Sequence, residues 1–187
     1  LVGFAIALLA MPLVSFLGAV SRKMGPGVLR SWLLGRYHHP RQEERVFLFL
    51  DLKGSTTLAE QLGDLKFSAL IRDFFSDLAE PIAESHGEVS HYIGDEAVIS
   101  FKPERGLPKA DCILCHFRCK AALKAEAAHY LEEYGFLPDF KSGLHMGMVV
   151  TTEVGVNKSE IVFHGDVLNT TSRIQGKCNE LGTDLLI

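Results

Sequence analysis

The chain has 187 residues, a formal net charge of -4 and a 47% apolar fraction. That length holds one globular domain plus an appendage, with enough apolar content for a core. Charges of both signs are interspersed without a basic stripe, so composition gives non-specific nucleic-acid binding no support.

Residues 1–20 carry no charge, and about 20 such residues suffice for a bilayer-spanning helix. Arg22 and Lys23 follow at once, with Arg30 and Arg36 soon after. By the positive-inside tendency this places the remainder in the cytoplasm, at the inner face of the cell membrane. The chain opens on Leu1, without the Met and basic n-region of a signal peptide. Residues 1–21 are therefore expected to be a transmembrane helix, the last of several in a longer protein. Residues 22–44 read as a juxtamembrane linker: Met24-Gly25-Pro26-Gly27 breaks the helix, and a short amphipathic stretch from Val28 to Tyr37 leads to His38-His39-Pro40-Arg41-Gln42-Glu43-Glu44.

The globular domain, 45–187, begins with Val46-Phe47-Leu48-Phe49-Leu50, an apolar run that fits a strand buried on both faces and ends at Asp51. A long helix follows. Thr57 and Glu60 are spaced as a capping box, Leu58, Leu62, Leu65, Leu70, Phe74, Leu78 and Ile82 recur at helical spacing, and Pro81 and Gly87 bring the helix to a close. Glu88 to Ile93 and Ala97 to Phe101 read as a hairpin whose turn contains Gly94-Asp95, which puts Asp95 at the tip. A second helix is expected from about Lys109 to Tyr134, strands over Phe140 to Val150 and Glu160 to Phe163 around a turn near Gly155-Val156-Asn157, and a third helix over Asp166 to Asn179. The order from Val46 to Val150 is β-α-β-β-α-β, a ferredoxin-like, palm-like α+β fold. Leu185-Leu186-Ile187 reads as the start of a further strand, so the domain is expected to be C-terminally incomplete.

In that topology the first strand lies beside the hairpin, so Asp51 and Asp95 converge at the rim of a sheet. Two carboxylates there can hold divalent cations against a polyphosphate. The turn Leu52-Lys53-Gly54-Ser55-Thr56 opens a helix, whose N-terminal N–H groups and dipole suit a phosphate. Ser55, Thr56 and Thr57 taken singly are equally well explained as helix caps. Asn169 and Arg173 are four apart and share a helical face, away from the expected stripe of Ile174, Cys178 and Leu181; taken alone the pair reads as a solvated face, and in a phosphate site such an arginine is the group that stabilises charge on a transferring phosphate. Cys112, Cys115 and Cys119 follow helical spacing without a second close ligand pair, which points to reduced thiols facing a core rather than a zinc site.

Taken together, four segments resemble the catalytic domain of class III adenylyl and guanylyl cyclases, from about Arg45 to the chain end. They are Phe49-Leu50-Asp51-Leu52-Lys53-Gly54-Ser55-Thr56, Tyr92-Ile93-Gly94-Asp95, Gly143-Leu144-His145-Met146-Gly147, and Gly165-Asp166-Val167-Leu168-Asn169 with Arg173. The resemblance implies a membrane-anchored adenylate cyclase that converts ATP to 3',5'-cyclic AMP and pyrophosphate. It implies two divalent cations, Mg²⁺ or Mn²⁺, held by Asp51, Asp95 and the Leu52 carbonyl, with Lys53, Gly54, Ser55 and Thr56 around the phosphates. It also implies that Asn169 orients the ribose and Arg173 stabilises the transition state. Family members share sites across a homodimer, the aspartates from one subunit and the Asn and Arg from the other. The family's phosphate-binding Lys is expected beyond Ile187.

The resemblance places base recognition at His91 and Val162, where adenylyl cyclases often carry Lys and Asp and guanylyl cyclases Glu and Cys. Neither pair is present, and His91 shares a strand face with Val89 and Ile93, where a core or interface histidine serves as well. ATP is the family's usual substrate. Guanylate cyclase and a degenerate nucleotide-binding or dimerisation module are the alternatives. Retention of Asp51, Asp95, Asn169 and Arg173 argues against the module, and Gly94-Asp95-Glu96-Ala97 lacks the second Gly and the Phe of a diguanylate cyclase turn.

Overall fold

The computed structural model describes residues 39–155 and 159–187, together with Met11, Pro12, Val14, Ser15 and Gly18. Most of the expected membrane span, most of the linker with its amphipathic stretch, and Val156-Asn157 lie outside the described residues. Among the described residues no helix is long and apolar enough to cross a membrane.

The elements run β1 (Arg41–Leu52), α1 (Ser55–Glu84), β2 (Glu88–Ile93), β3 (Glu96–Phe101), α2 (Pro103–Gly106), α3 (Asp111–Ala125), α4 (Ala127–Tyr134), β4 (Phe140–Val154), β5 (Glu160–His164), α5 (Asp166–Leu181) and β6 (Leu185–Leu186). The sheet order is β2-β3-β1-β4-β5, with β6 beside β4. Its ladders are antiparallel except for β6, which pairs parallel with Ser142 and Gly143. The β-α-β-β-α-β order thus holds, with β1 at the centre.

Central placement explains why Val46 to Leu50 form an unbroken apolar run: both faces are covered. Val46, Leu48, Leu50 and Leu52 pack with Leu70, Phe74 and Leu78 of α1 and with Cys112, Cys115 and Cys119 of α3. Phe47 and Phe49 face the other way, against Val98, Val149 and Val167 of α5. Burying each such side chain stabilises the fold by about 2 kcal/mol. All four cysteines are buried free thiols, as the helical spacing of the first three indicated.

Several boundaries differ from the sequence reading. β1 starts at Arg41, ahead of its apolar run, because β4 is long enough to pair with every residue from Arg41, opposite Thr151, to Leu52, opposite Phe140. No capping box forms: α1 starts at Ser55 with Gly54 at its N-cap and no side-chain cap, so Thr57 and Glu60 lie within the helix. Gly63 breaks α1 with φ 73° and ψ 163°. Residues beyond it are rephased, which leaves Leu65 91% exposed although its spacing suggested burial. Pro81 is accommodated inside the helix, which ends at Glu84. The expected second helix divides at Glu126 into α3 and α4. On α5 the buried stripe is Val167, Thr171, Gln175 and Cys178, and Leu181 is exposed.

Candidate active site

Asp51 lies near the end of β1, and Asp95 sits in the two-residue turn between β2 and β3. Gly94, with φ 63°, supplies the left-handed conformation that this turn requires. The Leu52 N–H donates to the Asp95 carbonyl at 3.3 Å, tying the hairpin tip to the end of β1. The two carboxylates are close enough that Asp95 raises the pKa of Asp51. Burial contributes more to that rise, while the Gln175 amide and the Lys141 ammonium oppose it.

Three further side chains complete this patch. Glu96 and Lys141 are the cross-strand partners of Asp51 on β3 and β4. Lys141 Nζ stands 3.4 Å from Asp51 Oδ2, and the Gln175 side chain donates to the same oxygen at 2.8 Å. Glu96 is pushed up to about 7 by burial first, then by Asp51 and Asp95. Three carboxylates thus share a half-buried patch with one ammonium group. That is a deficit of positive charge, and the carboxylates of Asp51 and Asp95 are hard oxygen donors of the kind that Mg²⁺ or Mn²⁺ takes.

The turn after Asp51 carries two kinds of backbone group. The Lys53 N–H is committed to the Asp139 carbonyl, whereas intrahelical bonding in α1 begins with the Leu58 N–H on the Gly54 carbonyl. The N–H groups of Ser55, Thr56 and Thr57 therefore have no intrahelical acceptor, and no side chain caps them. The Lys53 ammonium turns away from this opening and donates to Asp139 at 2.7 Å and to Asp184. Lys120 bridges the same two carboxylates. Lys53 thus ties the turn to the segments just before β4 and β6.

Asn169 and Arg173 are exposed on α5, on the side opposite its buried stripe. Among the described residues nothing pairs with the Arg173 guanidinium. His91 is exposed on the edge strand β2, and a register shift between Val89 and His91 alters the face-sharing that simple alternation suggested. Partial burial lowers its pKa despite an opposing effect of Glu160, on the strand that also carries Val162. Val162 is half-buried and pairs with Thr152.

Residues 37–182 match the family model of the adenylate and guanylate cyclase catalytic domain. The chain belongs to this family. Adenylate cyclase 2 of Rhizobium meliloti (strain 1021) is 40% identical over 174 residues, which cover 93% of this chain and 48% of that protein. Adenylate cyclase 1 of the same organism is 26% identical over 152 residues, 78% of this chain and 22% of that protein. The chain thus spans less than half the length of these curated relatives. Among solved structures, a bacterial light-regulated adenylyl cyclase superposes with a TM-score of 0.76 at 24% identity, covering 97% of this chain and 54% of that one. The guanylyl cyclase Cya2 gives 0.65 at 21% identity, covering 73% and 71%. These two likenesses establish the cyclase fold.

In this cyclase domain Glu96, Lys141 and Gln175 join the candidate site although the sequence reading did not select them. Strand register brings the first two to Asp51, and Gln175 reaches it only because α5 buries the face that carries it. Among the described residues, no group of three or more His, Cys, Asp or Glu side chains is placed to hold a metal ion. A cation here would draw on the Asp51 and Asp95 side chains, with backbone, water and phosphate supplying its other oxygens.

Proposed function

We propose that this domain is an adenylate cyclase that converts ATP to 3',5'-cyclic AMP and pyrophosphate at sites shared between two copies of the chain. The observation that carries the reading is the convergence of Asp51 with Asp95 beside the open N-terminus of α1, while Asn169 and Arg173 project from the outer side of α5. The adenylate cyclase name of the Rhizobium relative supports ATP as substrate.

Asp51 and Asp95 would hold two Mg²⁺ or Mn²⁺ ions, with the Leu52 carbonyl as a further ligand. Cations held there would supply the Lewis acidity that lowers the pKa of the ribose 3'-hydroxyl and offsets charge on the triphosphate. The N–H groups of Ser55, Thr56 and Thr57 donate to phosphate oxygens at the positive end of α1. The 3'-hydroxyl gives its proton to solvent and its oxygen bonds to the α-phosphorus as the bond from that phosphorus to the α,β-bridging oxygen breaks and pyrophosphate leaves, so no protein nucleophile is consumed. Asn169 of the partner subunit positions the ribose, and the partner subunit's Arg173 donates to the oxygens that gain charge at phosphorus. His91 and Val162 flank the base. The uncharged residues 1–20, followed by Arg22 and Lys23, support an anchor in the inner membrane with the domain on the cytoplasmic side.

The test is incubation of the protein with Mn²⁺ and either ATP or GTP, with cyclic nucleotide and pyrophosphate measured together. Cyclic AMP with equimolar pyrophosphate is expected. Cyclic GMP alone would reassign the substrate, and no product from either nucleotide would refute the enzyme.

A further inference from the structure

Residues on opposite sides of α5 serve two different groups of the candidate site. Gln175 is 6% exposed, and its amide donates to Asp51 Oδ2 at 2.8 Å. Asn169 and Arg173 stand exposed on the other side; residues two apart on a helix, such as 173 and 175, point roughly 200° apart. One rigid element therefore joins the carboxylate of a chain's own site to the side chains it offers elsewhere.

The helix is held tightly at the level of Gln175. A methyl group added at Gly143 of β4 would stand 2.5 Å from the Gln175 backbone nitrogen and 2.7 Å from the Thr171 carbonyl oxygen. At Gly147, one turn of packing further along, it would meet the Val167 side chain at 3.1 Å. Two glycines on one face of β4 thus floor a groove in which α5 lies too close to rotate freely. Gln175 and Lys141 both engage Oδ2 of Asp51, so Oδ1 is the oxygen that neither contact uses.

We infer that Gln175 is a positioning residue that aims the Asp51 carboxylate at a divalent cation and couples that cation to the seating of α5, the helix that carries Asn169 and Arg173. The inference rests on the reading of Asp51 as a cation ligand given above. A side-chain amide bonded to one carboxylate oxygen fixes rotation about the Cβ–Cγ bond of Asp51 and leaves the other oxygen for the ion, as partners of metal ligands commonly do. Cation binding in turn immobilises the Asp51 carboxylate and, through the Gln175 side chain bonded to it, the seating of α5.

The test needs no turnover. Free Mn²⁺ is titrated by electron paramagnetic resonance against the full chain without nucleotide, and hydrogen exchange of the α5 amides is recorded with and without Mn²⁺. Gln175→Met keeps the packing volume and removes the donor; Gln175→Asn keeps the amide one methylene too short. Both are expected to weaken Mn²⁺ binding about 10-fold and to abolish the protection that Mn²⁺ confers on α5 in the unmodified protein. Should Gln175→Met not fold, Gln175→Asn alone carries the comparison. Mn²⁺ affinity and α5 protection unchanged in a folded variant would overturn the inference while Asp51 stands as a ligand, provided that Asp51→Asn abolishes binding. If Asp51→Asn binds Mn²⁺ as well as the unmodified chain, the metal assignment itself falls, and the inference with it.

Discussion

Asp51 and Glu96 stand directly opposite each other on β1 and β3. Two carboxylates on neighbouring strands repel, and Asp95 lies in the adjoining turn; Glu96 is accordingly held at about 7 instead of the 4.5 of an isolated side chain, with burial as the first cause. A folded-state value above the unfolded one means that the folded chain binds the extra proton. The stability so contributed is full below pH 4.5 and is lost as the pH rises through 7.

Glu96→Gln should therefore raise the melting temperature at pH 8 in the presence of chelator and leave it nearly unchanged at pH 4.5. The gain at pH 8 is about 1 kcal/mol, smaller than the full shift because solvent screens a half-exposed group. Thermal melts at the two pH values check this; an equal effect at both would contradict it.

His116 gives the opposite slope. It is 2% exposed, and its Nδ1 lies 3.1 Å from Ser142 Oγ. Burial and then Lys120 lower it from 6.5 to about 4. A depressed histidine contributes stability that is full above pH 6.5 and disappears as the pH falls through 4, an effect of about 3 kcal/mol. Denaturant titrations between pH 7 and 4 should show this decline, and His116→Asn should flatten most of it.

The glycines beside the site make separable predictions. Gly143→Ala drives a methyl group into the backbone of α5 and should destabilise the fold by about 3 kcal/mol. Gly54→Ala meets nothing within 4 Å but must adopt φ 67°, and should cost about 1 kcal/mol. Equilibrium unfolding of the two variants tests that ranking.

Much of this arrangement was legible because it is local. The Val46 to Leu50 run followed by Asp51, and the Gly94-Asp95 turn, each encode a strand end and a carboxylate within a few residues, and the β-α-β-β-α-β order then brings them together. The residues that escaped notice depend on tertiary facts. Glu96 and Lys141 become neighbours of Asp51 only once strand register is known. Gln175 was hidden because an apolar criterion selects Ile174 and Leu181 for the buried stripe of α5, whereas the helix buries Thr171 and Gln175 against the glycine-floored groove of β4. Gly63 misled in the same way, since one residue at φ 73° rephases α1 and sends Leu65 into solvent.

Arg173→Ala should lower the rate of cyclic AMP formation by about 10²–10³-fold. Its exposed position predicts a melting temperature close to that of the unmodified chain. A large loss of stability would instead make the side chain structural.

The measurement that bears most directly on a shared site mixes two inactive subunits, Asp51→Ala and Arg173→Ala, with dimerisation verified. If sites are shared, each heterodimer would retain one site with an intact Asp51 and the partner subunit's Arg173. Random pairing of equal amounts should restore about one quarter of the unmodified activity. Verified heterodimers with no activity would contradict a site built from two copies of the chain.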